Sequence, residues 1–64
     1  MKVSARKLMA EAYDALEAGQ QHIGKAISTR DRQLKITLLQ HVRDVIIPSL
    51  TTSVTHALER LSGN

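Results

Sequence analysis

Three histidines carry the side chains best suited to metal or proton chemistry, and two have a carboxylate close by: Asp44 follows His41 by three residues, and Glu59 follows His56 by three. On a helix that spacing puts both groups on one face, where a metal could be held. A carboxylate-bridged di-iron site, however, needs Glu-x-x-His pairs and further inward glutamates. The apolar stripe of the first expected helix supplies none, and His22 has no acidic partner at that spacing. Ordinary surface or boundary histidines are expected, with no metal and no cofactor. The hydroxyls of Ser49, Thr51, Thr52 and Ser53 lie near His56 in the chain. An activated nucleophile also needs a converging base, an orienting group and oxyanion donors, which these residues lack. They read as a polar helix face, and no enzymatic activity is expected. The absence of cysteine removes disulfides and thiolate metal sites together.

The net charge of +3 is unevenly spread. Lys25, Arg30, Arg32 and Lys35 against Asp31 give four positive charges less one negative, or +3, in one short stretch. Lys2, Arg6 and Lys7 give a second basic cluster, and Glu11, Asp14 and Glu17 make the segment between them acidic. Lys and Arg that neutralise phosphates supply sequence-independent affinity for nucleic acid, so Lys25, Arg30, Arg32 and Lys35 are the candidate phosphate-binding residues. A solvated turn is the commoner use of such charges. Tyr13 is the only aromatic residue able to stack on a base, and neither helix-turn-helix spacing nor a glycine-rich loop is present. Nucleic-acid binding is the alternative reading, behind binding to a protein.

The elements that position these residues are helical. Ala5, Met9, Ala12, Leu16, Gly19, Ile23 and Ala26 recur at alternating spacings of four and three, the rhythm of a helix packed on another helix. This predicts a first helix over about 4–27. The rhythm stops near 28–31, where Ser28 and Asp31 have the spacing of a capping box. A second helix over about 31–62 follows, with Leu34, Leu38, Leu39, Val42, Val45 and Ile46 forming a broad apolar face. Pro48 falls inside it and predicts a kink, because proline removes one backbone hydrogen bond and collides with the preceding turn. Gly63 suits a helix C-terminus. Residues 1–64 make one all-α domain, a hairpin of two antiparallel helices.

A chain of 64 residues rarely buries enough apolar surface to stand alone. Without disulfides or a metal, oligomerisation is the remaining support, and a homodimeric four-helix bundle is expected. Met9, Ala12, Leu16, Gly19, Ile23, Leu39, Val42 and Ile46 are the candidate interface. The layers of small residues (Ala5, Ala12, Gly19, Ala26) alternating with large ones (Met9, Leu16, Ile23) resemble the packing of the plasmid-encoded repressor-of-primer family, hairpin dimers that bind RNA. The resemblance is architectural, and none of that family's RNA-contacting residues carries over. No apolar stretch approaches the ~20 residues that span a bilayer, and the small residues and acids of the first helix do not suit a membrane surface. Residues 1–7 do not lead into the uninterrupted apolar segment of a signal peptide, so a cytoplasmic location is expected. The functional expectation is a small non-enzymatic helical interaction, adaptor or regulatory protein that acts by binding another macromolecule, with a protein the expected partner.

Overall fold

The computed structural model describes residues 4–63. Its first arm is α1 (Ala5–Ser28), and its second is α2 (Arg32–His41), a π-helical turn (Val42–Ile46) and α3 (Ile47–Leu61) in unbroken succession. No strand occurs among the described residues. The two arms form a helical hairpin with extents of 48 × 18 × 15 Å. Among the described residues, no helix is long and apolar enough to cross a membrane.

Local signals set the ends of the arms. Ser4 caps α1, its side chain accepting a hydrogen bond from the Lys7 backbone N–H at 3.2 Å. Ser28 differs from its expected role as half of a capping box. It is the last residue of α1, and its hydroxyl donates to the Gly24 carbonyl at 2.8 Å. The second arm is capped by Asp31, whose Oδ1 accepts from the backbone N–H groups of Gln33 and Leu34 at 2.9 and 3.2 Å. Asp31 in turn donates its own N–H to the Thr29 hydroxyl at 3.2 Å. A carboxylate here satisfies two otherwise orphaned donors and offsets the positive end of the helix dipole. At the far end Gly63 has φ +99°, the left-handed conformation that glycine adopts freely just past a helix.

The irregularity expected at Pro48 takes the form of the π-helical turn immediately before it. The Ile47 N–H reaches back to the Val42 carbonyl, one residue further than in an α-helix. Pro48 follows as the second residue of α3, inside the continuous arm, where it cannot donate the backbone hydrogen bond that another residue would make to the preceding turn.

The core between the arms is thin. Leu8, Ala12, Ala26, Val42, Ile46 and Ala57 are its buried hydrophobic residues, three of them alanines, and no large side chain is fully buried among the described residues. Gly19 and Ser53 complete it.

Candidate functional site

The buried positions divide the hairpin surface into two unlike faces. In α1 the buried or half-buried residues Leu8, Ala12, Ala15, His22 and Ala26 are each followed by an exposed apolar residue: Met9, Tyr13, Leu16, Ile23 and Ile27. In the second arm Leu39, Ile47, Val54 and Leu58 likewise follow Leu38, Ile46, Ser53 and Ala57. One residue is a rotation of about 100° in a fixed sense along the chain. For two antiparallel helices that face each other, the same sense of rotation leads to the same side of the pair. Both exposed stripes therefore share one face. The residues that precede buried ones lie on the opposite face, and Lys7, Glu11, Lys25, His41, Thr52 and His56 among them are polar, with Ala18 and Val45 as the apolar exceptions.

This arrangement splits the eight candidate interface residues. Ala12, Gly19, Val42 and Ile46 are buried between the arms of a single hairpin. Met9, Leu16, Ile23 and Leu39 are 48, 52, 43 and 50 % exposed on the apolar face. Tyr13, Ile47, Val54 and Leu58 join them there and were not singled out by the stripe of small and large residues. Their signal was present as a second apolar line displaced by one residue from the core.

Lys25, Arg30, Arg32 and Lys35 are all exposed, and they cluster around the turn that joins the arms. None of the four is ion-paired among the described residues; the neighbouring carboxylate of Asp31 is engaged in capping.

The two His-carboxylate pairs are not hydrogen-bonded among the described residues. Asp44 is held by its neighbour Arg43, whose Nε and Nη2 donate to the two carboxylate oxygens at 2.6 and 2.9 Å. Those bonds lower the Asp44 carboxyl below its ordinary value and raise the Arg43 guanidinium; both groups are fully open to water, so the pair adds little to the fold. No group of three or more His, Cys, Asp or Glu converges among the described residues.

The structure instead brings together His22 and His41, from different arms. Their rings stack with centroids 4.9 Å apart and planes 16° from parallel. His22 Nδ1 lies 2.8 Å from the Ala18 carbonyl oxygen. Beside the pair, Gln21, His22, Lys25 and Leu38 line an open cavity of about 340 Å³. Spacing rules along one helix do not reveal this pair, because its members meet only when the hairpin closes.

No protein-family model, curated protein or solved structure matches the chain.

Proposed function

We propose that the protein is a non-enzymatic interaction module: a hairpin completed by a second copy into a homodimeric four-helix bundle, which then binds another protein through surface left outside the dimer. The observation that carries this reading is the single apolar face, to which both arms contribute. Areas support a second copy as its cover. The chain exposes 5112 Å², whereas a folded monomer of 7.1 kDa exposes about 4,100 Å² by the usual scaling of area with mass. The excess, about 1,000 Å², is comparable to the ~800 Å² that each partner contributes to a stable interface. A radius of gyration of 14.4 Å against roughly 11 Å for a compact chain of this length supports the same reading.

Sedimentation equilibrium tests it. Dimer mass is expected for the wild type and for Thr52→Asp on the polar face, and loss of the dimer for Leu16→Asp and Val54→Asp. Dimer mass in all four would overturn the interface.

One observation favours a second reading, a nucleic-acid-binding regulator: four exposed cations at the hairpin tip without ion-pair partners among the described residues. It requires salt-sensitive binding of RNA or duplex DNA. Unchanged affinity when Lys25, Arg30, Arg32 and Lys35 are all replaced by Gln would exclude that surface.

A further inference from the structure

We infer that the hairpin holds one unpaired base of a single-stranded nucleic acid in the cavity beside the stacked His22 and His41 rings, with the neighbouring phosphates on the basic tip. This rests on the nucleic-acid reading of Lys25, Arg30, Arg32 and Lys35 and narrows it. Placement comes first. Lys25 follows His22 by three residues and Leu38 precedes His41 by three, so on both arms the cavity lies about one turn nearer the tip than the histidine pair. It is therefore continuous with the four exposed cations, and Lys25 belongs to both.

The lining suits a base. His22 offers a planar π surface, and histidine is among the side chains on which unpaired bases stack. Its ring is held from two directions: Nδ1–H donates to the Ala18 carbonyl at 2.8 Å, and His41 backs it from the other arm, with centroids 4.9 Å apart and planes 16° from parallel. A surface fixed before the ligand arrives loses little freedom on binding. Half-buried Leu38 adds an apolar contact, and the Gln21 amide can both donate to and accept from a base edge. Among the described residues no carboxylate lines the cavity, so nothing there repels a phosphate, and Lys25 attracts one. A volume of about 340 Å³ is at the lower end of small-ligand sites. A duplex keeps its bases within its own stack, so only an unpaired one can enter. Tyr13, the remaining aromatic ring, lies on the apolar face.

Lys25 and His41 lie on the polar face, so the site would stay open beneath no second copy. The experiment titrates the full chain into a dye-labelled, unstructured strand with a central 2-aminopurine, made as RNA and as DNA, and into the same strands with an abasic site at that position. Anisotropy reads affinity, and 2-aminopurine quenching reads stacking. Expected are salt-sensitive binding, quenching of the central base and affinity at least about fivefold weaker for the abasic strand, the lower bound for stacking on an aromatic side chain; base-dependent binding of either the RNA or the DNA supports the site. His22→Ala should abolish the preference for the intact strand, Lys25→Gln should reduce the salt slope by about one, and His56→Gln should change neither. The abasic comparison needs no variant, so it decides the matter even if His22→Ala unfolds. Salt-sensitive binding that is equal for intact and abasic strands would overturn the stacking site and leave the tip reading standing, whereas no binding of any strand would overturn both.

Discussion

Gly19 faces Ile46 across the hairpin, and a Cβ added at Gly19 would meet the Ile46 Cγ2 at 3.5 Å, an ordinary contact distance. The glycine therefore sits closely opposite its neighbour without being required by it. Gly19→Ala should stabilise the hairpin by about 0.5–1 kcal/mol, the helix-propensity gain of alanine over glycine. Gly24, with nothing within 4 Å of an added Cβ, should gain a similar amount from the same change. Urea unfolding of the two variants checks this; destabilisation of Gly19→Ala would mean that the arms pack more tightly than their described separation.

Asp31→Ala should cost about 1 kcal/mol, since it orphans the N–H groups of Gln33 and Leu34 at the start of the second arm. Asp31→Asn, which keeps the accepting oxygen, should recover most of that loss. Thermal unfolding of the pair separates the hydrogen bonds of the cap from its charge.

Because its core holds so few large side chains, the hairpin should draw stability from association. The thermal midpoint of the wild type should then rise with protein concentration, as mass action requires when only the folded form associates. A midpoint constant over a hundredfold dilution would count against the dimer. The same scan on Leu16→Asp should show a lower and concentration-independent midpoint.

The π-helical turn places one extra residue between Val42 and Ile46. Removing Val45, which is exposed, should restore a regular α-helix while leaving Ser53 and Ala57 facing α1. Removing Thr55 instead should rotate Ala57 out of the core by about 100°. Circular dichroism and solution mass should be preserved in the first deletion and lost in the second.

Much of the fold is legible in the residues themselves. The rhythm from Ala5 to Ala26 marks one arm, and its interruption near Asp31 marks the turn. What the rhythm does not reveal is which half of a wide apolar stripe turns inward. Ala12 and Gly19 lie inside while Met9, Leu16 and Ile23 lie outside, although all five belong to the same run; a stripe broader than one contact serves two neighbours, and only packing apportions it. The cap was misplaced because Ser28 can bond back to its own helix as readily as it can start a new one. The π-turn has a single herald, Pro48, which predicts disturbance but not its form. Histidine pairing was hidden for a different reason, since the residues between His22 and His41 include the whole turn.

A body with a sticky surface on two sides can add neighbours without end and grows into filaments. This hairpin has its apolar stripes on one side only, and its reverse is studded with Lys7, Glu11, Lys25 and His56. In the proposed dimer one partner would use up that side and leave the mainly polar face outward. On the proposed dimer, growth would end at the first pairing, so the sidedness created by a one-residue offset from the core would also set the size at which assembly closes.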